Sequence, residues 1–375
     1  MQKNLFVAIS TLVGGTIGAG ILGLPYVINK SGFLIGFIEL TLITLSILFL
    51  NLALGEIILR TPGKHQLTGY CEIYYGKTAK YIMSIAMIIG IIGALTAYIT
   101  GEGISLADIF NGNSVFYAIV FFLIFSILIL LGIDVAKKYE TILVSIMLIS
   151  ILIIILYGFT KINLANLSTF KPSNFLLPYG AIFFSSLALP AIIESNEELE
   201  KNKKLLKKAI IIGTIIPFTV YFLFVISIIG SVGNNVSEIA TLDVAQNFGV
   251  IAGFFGKIFP ILSMATAFLI LGIALKEMFI YDYKINKTLS WILTCAPPIV
   301  IYLLGFNNFI ELITIVGGIV AGIDGLLITM IWLKAKKRGK LKPIYSIPKN
   351  WFMIIIVIVI FSIAIIRTII EIKGL

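Results

Sequence analysis

Runs of about twenty apolar residues recur along this chain, and no other feature constrains its fold as strongly. A helix needs ~20 such residues to cross the hydrocarbon core of a bilayer. In lipid, only helices and closed barrels satisfy every backbone polar group. Barrel strands read as short alternating segments, and the run Met147 to Leu156 (MLISILIIIL) does not alternate. The expectation is an all-α integral membrane protein. Eleven spans are read, at 5–28, 33–59, 80–105, 114–133, 140–160, 175–194, 209–231, 249–274, 289–305, 309–333 and 350–371.

Composition agrees. Of 375 residues, 59% are hydrophobic and only 12% charged, with a mean hydropathy of +1.09. A soluble domain carries about 25% charged residues, so there is too little charge here to cover a water-facing surface. That excludes a soluble enzyme, a disordered chain and a disulfide scaffold. A nucleic-acid binder is excluded too, because the net charge of +10 is dispersed between apolar segments. Cys71 is read in a polar loop and Cys295 in an apolar run, so no disulfide is expected, and two thiols alone do not make a structural metal site. The single histidine, His65, is read as a solvated loop residue. The first apolar run is taken as a span rather than a signal peptide, because it lacks a clean cleavage site and many more spans follow.

Lysine and arginine set the orientation. With the N-terminus inside, 22 of the 28 basic residues fall on the inner side. The other side holds only Lys30, Lys161, Lys171, Lys257, Arg367 and Lys373. Inner segments are expected to include an amphipathic interfacial helix over 64–80 and a polar helix over 194–209, acidic then basic along its length. The basic cluster at 334–342 reads as a topology anchor.

The first span contains Gly14, Gly15, Gly18, Gly20, Gly23 and Pro25. Glycine costs ~1 kcal/mol and proline about 3 at each interior helix position. An unbroken helix is not expected there, and non-helical backbone at that depth must be buried in protein or line a cavity. Five spans later, Ser185, Ser186 and Pro190 interrupt span six. Paired interruptions at matching positions of two halves point to an inverted-repeat transporter. The repeats are about 5–160 and 175–333, giving a transport core over 1–333. Residues 334–375 add a basic loop and an eleventh helix. A broken helix offers amide donors to an anion and carbonyls to a cation at one place.

These segments resemble the amino acid/polyamine/organocation superfamily, and within it the amino acid/auxin permease-type transporters, including bacterial aromatic amino acid permeases. The resemblance rests on GGTIGAGILGLPYV (Gly14 to Val27) and FSSLALPAIIE (Phe184 to Glu194), with YCEIYYGKTAKYI (Tyr70 to Ile82) and MATAFLILGIALKEMFIYDY (Met264 to Tyr283) in support. It implies a LeuT-type 5+5 inverted repeat with helices 1 and 6 discontinuous. It implies a substrate carboxylate on the amides of Gly18, Ala19 and Gly20, and an ammonium near the carbonyls of Thr16 and of Phe184, Ser185, Ser186 and Leu187. A sodium site of the same type would use carbonyls of Gly14, Ile17 and Ser263 with the Thr266 hydroxyl. Ala267 stands where a second hydroxyl would be expected, so coupling stays open between Na⁺ and H⁺.

Ionisable residues at membrane depth are functional candidates by default. Glu39, Glu102 and Asp324 are the gating or proton-carrying candidates, with Asp324 first because it has the least access to water. Glu56, Glu194, Lys276 and Glu277 lie near span ends and are expected to snorkel or pair with loops. Tyr98 and Phe184 are candidate pocket residues. No phosphate-binding loop of the G-x-x-x-x-G-K-[ST] type occurs. The function expected is ion-coupled transport of a neutral or aromatic amino acid across the cytoplasmic membrane by alternating access. The alternatives are an exchanger, a channel or a sensor of transporter-like fold; an intramembrane enzyme lacks the catalytic groups it would need. No cofactor is expected beyond Na⁺ or H⁺. The partners are the amino acid and the bilayer.

Overall fold

A computed structural model describes residues 2–199, 202–306 and 308–374, apart from the side chains of 2–3, 133–140, 245–246 and 371–374. In the orientation tally, Lys201 therefore lies outside the described residues, as do the side chains of Lys3, Lys137, Lys138 and Lys373. The described chain is all-helical. The first repeat comprises α1 (Gln2–Thr16), α2 (Gly20–Ser31), α3 (Phe33–Arg60), α4 (Leu67–Tyr75), α5 (Lys77–Phe110), α6 (Ser114–Leu131) and α7 (Ile133–Phe159). The second comprises α8 (Tyr179–Ser186), α9 (Leu189–Glu198), α10 (Leu206–Val232), α11 (Ala240–Asn247), α12 (Val250–Tyr281), α13 (Lys287–Leu303) and α14 (Phe309–Arg338). The last helix is α15 (Trp351–Gly374).

By length and composition, eight described helices suffice to cross a membrane, and α1 with α2, bent by 51°, makes a ninth. The shorter α13 and the α8–α9 pair occupy the remaining two positions read as spans. Local chemistry explains several starts. Asn113, Asn286 and Asn308 cap α6, α13 and α14, their side-chain oxygens accepting from first-turn amides.

The repeats pack on each other through equivalent helices. The broken pairs lie together, α1 on α9 and α2 on α8, while α3 meets α10, α5 meets α12 and α6 meets α13. Each repeat also places a short helix between its second and third spans: α4 in the first and α11 in the second. The last helix seats Phe361, Ile365 and Thr368 against Gly318, Gly322 and Gly325 of α14. Small residues at this spacing let helices approach closely where no hydrophobic force drives association in lipid.

Several sequence readings need correction. The interfacial helix is confined to Leu67–Tyr75, because Gly76 at φ 82° ends it. It buries Leu67, Thr68, Tyr70, Cys71 and Tyr74, so Cys71 is a packed thiol rather than a loop residue. His65 is not simply solvated. Its ring meets Tyr70 edge-on, and Nδ1 lies 4.0 Å from an Asp282 carboxylate oxygen. The segment 194–209 is not one helix. Helix α9 ends at Glu198, and a 3-10 turn at Lys203–Leu205 precedes α10, with Glu200 and Lys201 outside the described residues.

Of the charged groups near span ends, Glu56 and Glu277 pair with loop residues, as expected, and Lys276 bonds to a neighbouring helix. Glu56 is fully buried and accepts from Trp332 Nε1 (2.8 Å), Lys336 Nζ (3.0 Å), Ser346 Oγ (2.8 Å) and the Ile347 amide (3.0 Å), besides Arg60. This pins the loop after α14 to α3. Lys276 is also buried, and its ammonium donates to the Ile129 carbonyl in the last turn of α6. Glu277 accepts from Gln66 at 3.3 Å.

Candidate functional site

Both breaks fall near the middle of the bundle and face each other. In the first, Ile17, Gly18 and Ala19 leave the helix, and the chain restarts at Gly20. In the second, Leu187 and Ala188 are non-helical (φ −95°, ψ 113° and φ −136°, ψ 50°). Pro190 therefore lies in the first turn of α9 rather than at the break, where its missing N–H costs nothing.

The two breaks touch through Gly20. A Cβ added there would come within 2.6 Å of both Cα and Cβ of Ser185. They are also joined by a residue that sequence reasoning missed. Tyr221, on α10 and 1% exposed, has its hydroxyl 2.8 Å from the Thr16 carbonyl and 2.5 Å from that of Ser185. One phenolic proton thus serves the C-terminal ends of both α1 and α8. A helix end leaves such carbonyls without intrahelical partners; that of Thr16 also accepts from the Gly18 amide at 3.0 Å.

A cavity of ≈ 70 Å³ is lined by Gly15, Phe184 and Leu187 from the broken helices, by Leu67 of α4 and by Asp324 of α14. Tyr98 and Phe184 both line it, with their rings edge to face at 6.1 Å. Gly18 lies beside Tyr98, since an added Cβ would sit 2.8 Å from its hydroxyl. Of the residues expected to bind substrate, Phe184 and Leu187 line this cavity. Thr16 and Ser186 instead line a smaller polar space with Thr44, Asn51, Thr214 and Tyr221. There the Thr44 and Ser186 hydroxyls have no hydrogen-bond partner. Gly18, Ala19 and Gly20 are buried at the break itself.

The residues named for a sodium site also converge in part. Thr266 Oγ1 lies 3.5 Å from the Gly14 carbonyl, 3.1 Å from that of Ser263 and 3.0 Å from that of Leu262. Ile17 is buried within the adjacent break. The Ala267 methyl would be 3.0 Å from a Cβ at Gly18, so an apolar group faces the break where a further oxygen would help. The set is hard neutral oxygen, which suits a small cation.

Glu39, Glu102 and Asp324 are 2%, 0% and 4% exposed. Both carboxyl oxygens of Glu39 and Glu102, and Oδ1 of Asp324, have no hydrogen-bond partner. The three do not form one cluster: they lie on α3, α5 and α14, and only Asp324 lines the cavity.

The α4 end of the bundle is held by polar contacts. Thr11 donates to the Glu198 carboxylate at 2.8 Å, Ser195 to the Ala8 carbonyl at 2.8 Å, and Lys64 to Glu197 at 2.6 Å. The hydrogen bond from Lys64 to Glu197 raises the lysine pKa above its ordinary value. Asp282 accepts from Thr68 Oγ1 (2.5 Å) and the Gly69 amide (3.0 Å), capping the first turn of α4. Burial nonetheless pushes its pKa up.

Paired discontinuous helices around a mid-bundle cavity define a membrane protein of the LeuT-type fold. The structure of MhsT in complex with L-phenylalanine has the same fold, with a TM-score of 0.72 over 99% of this chain and 98% of that one at 15% identity. The chain belongs to the tryptophan/tyrosine permease family, which it matches over residues 1–368, and it is an amino acid transporter. Two relatives agree. Tyrosine-specific transport system 1 of Haemophilus influenzae is 28% identical over 364 residues, covering 90% of each chain. Glutamine transporter 2 of Aliivibrio fischeri is 24% identical over 334 residues, covering 84% of this chain and 85% of the relative.

Proposed function

We propose that this chain is an ion-coupled secondary transporter for a neutral aromatic amino acid, working by alternating access in the cytoplasmic membrane with its N-terminus inside. Within the wider classification, it fits the amino acid/polyamine/organocation superfamily and its amino acid/auxin permease-type group. The observation that carries the reading is the contact between the two breaks, with a cavity opening beside them. The substrate carboxylate would take the amides of Gly18, Ala19 and Gly20, in the break and at the start of α2, with the Gly18 N–H released from the Thr16 carbonyl. The helix dipole favours an anion at that end. The ammonium would approach the carbonyls at the ends of α1 and α8: that of Ser185 keeps a second lone pair beside the bond from Tyr221, and that of Thr16, which also accepts from the Gly18 amide at 3.0 Å, would exchange that bond for the ammonium. The side chain would enter the apolar cavity. The relatives' names, tyrosine and glutamine transporters, support an uncharged side chain.

Two coupling routes fit the residues. Sodium would sit among Gly14, Ile17, Ser263 and Thr266, linking α1 to α12. Protons would be carried by Glu39, Glu102 or Asp324, whose buried oxygens lack partners. The test is uptake of labelled amino acids into proteoliposomes under an inward Na⁺ gradient, an inward H⁺ gradient, or neither. Saturable uptake driven by one gradient is the expected result. Gradient-independent exchange would overturn the coupling, and absence of all amino acid movement by folded protein would overturn the reading as a whole.

A mutation separates the routes. Thr266→Ala removes the only side-chain ligand of the sodium set. If Na⁺ drives uptake, the concentration giving half-maximal rate should rise about tenfold, the equivalent of one lost ion contact. A Na⁺ titration of initial rates reads this directly, and an unchanged titration removes Thr266 from the site.

A further inference from the structure

Asp324 lines the cavity and is 4% exposed, seven residues along α14 from Gly317, which packs against Phe184 at the second break. Its Oδ1 has no hydrogen-bond partner. The walls between it and the breaks are apolar, built from Met87, Ile91, Ala94, Val316 and Val320. Besides Asp324, the Tyr98 hydroxyl is the other polar side-chain group among the described lining residues, and it lies next to Gly18. The lining is therefore apolar apart from the Tyr98 hydroxyl beside the first break and the Asp324 carboxyl.

The spacing has a chemical meaning. Gly317 packs against Phe184 beside the second break, and Asp324 follows it by seven residues on the same helix. Seven residues are two turns, about 10 Å of rise. That is roughly the length of an aromatic amino acid from its α-carboxylate to a polar atom at the far edge of its ring. A buried carboxyl oxygen without a donor is costly, and a substrate donor would remove that cost.

We propose that Asp324 is a specificity-determining residue that accepts a hydrogen bond from a donor at the far end of the substrate side chain. The phenol O–H of tyrosine and the indole N–H of tryptophan are donors of this kind. Phenylalanine fills the same apolar walls and leaves Oδ1 unpaired. Sites built to bond a substrate hydroxyl reject the analogue lacking it far more strongly than apolar pockets reject a missing methylene. The inference rests on the reading of this cavity as the substrate site.

The test is equilibrium competition binding to the purified full chain, with no gradient, so that coupling plays no part. Tyrosine and tryptophan should each outcompete phenylalanine at least about tenfold. In Asp324→Ala the ratio should fall to within about twofold, through weaker tyrosine binding at unchanged phenylalanine binding. Asp324→Asn keeps a carbonyl oxygen at the same place and should retain most of the preference. Should the alanine variant fail to give monodisperse protein, Asp324→Val carries the same comparison. A ratio near one in the unaltered protein, an unchanged ratio in the alanine or valine variant, or a preference for lysine over tyrosine overturns the proposal while leaving amino acid binding intact. A role confined to carrying protons would leave the ratio unchanged, and so also overturns it. Absence of binding by any amino acid overturns the substrate-site reading as well.

Discussion

Uptake by a Gly20→Ala variant is expected to fall about 100-fold, the scale reached when a binding geometry is displaced by an ångström. The added methyl would lie 2.6 Å from Ser185 Cα, 2.6 Å from its Cβ and 2.9 Å from its amide nitrogen. Cα and N are backbone, so no rotamer change relieves the overlap. Two energies oppose each other. Alanine in place of glycine favours a helix by ~1 kcal/mol. Overpacking a tight contact costs ~1–3 kcal/mol and sometimes more. The second wins here because the clash is with the end of another broken helix, and moving it shifts the Ser185 carbonyl held by Tyr221. Gly23→Ala is the control. It carries the same helix preference, but its close contacts are the Cδ1 atoms of Ile310 and Ile313 at 3.0 Å, which can turn away, and the nearest backbone atom of another segment, the Glu238 oxygen, is at 4.0 Å, an ordinary contact. Initial uptake rates at matched protein content decide the matter. A Gly20→Ala protein with unaltered uptake would show that the two breaks need not touch.

The first break was legible because it is dense in the one residue a helix least tolerates. Five glycines between 14 and 25 leave little else to infer. The second falls between the residues that mark it, Ser185 and Ser186 on one side and Pro190 on the other. Pro190 looks like a helix breaker, yet at the first turn of α9 it starts a helix, and the non-helical residues are Leu187 and Ala188. The same contrast separates the two equivalent short helices. Helix α4 was visible in the aromatic and charged run from 64 to 80, whereas α11, only eight residues long in ATLDVAQN, offered too little pattern to stand out. Asp324 was visible because a carboxyl in the middle of GGIVAGIDGLL has no route to water. Its place in the cavity was not, because that depends on how α14 is rotated against α5 and α8. Ser185 and Ser186 show the limit most clearly. They are neighbours in sequence, yet Ser185 packs on Gly20 while Ser186 turns to the polar space lined by Thr44 and Asn51.

Tyr221 was hidden for a different reason, and its removal is the second large effect expected. It is one of 15 tyrosines, placed inside an apolar span with no local signal to mark it. Only the fold brings its hydroxyl between the Thr16 and Ser185 carbonyls. Tyr221→Phe keeps the ring, which is 1% exposed, so no large cavity forms and packing is preserved. What is lost is the shared proton. A buried acceptor left without a donor costs ~1–3 kcal/mol, and at this depth no lipid group can replace it. The Thr16 carbonyl keeps the Gly18 amide at 3.0 Å, so the loss falls on the Ser185 carbonyl; taking about 2 kcal/mol for it, the joined arrangement of α1 and α8 loses about 30-fold in population. The purified variant should therefore unfold at a lower temperature and transport at least about tenfold more slowly, because both half-helix ends must be held for substrate to meet them together. The two readouts fail separately. A lower midpoint with normal uptake would make Tyr221 a structural tie alone, and a variant equal to the unaltered protein in both would mean that another donor holds the carbonyls together.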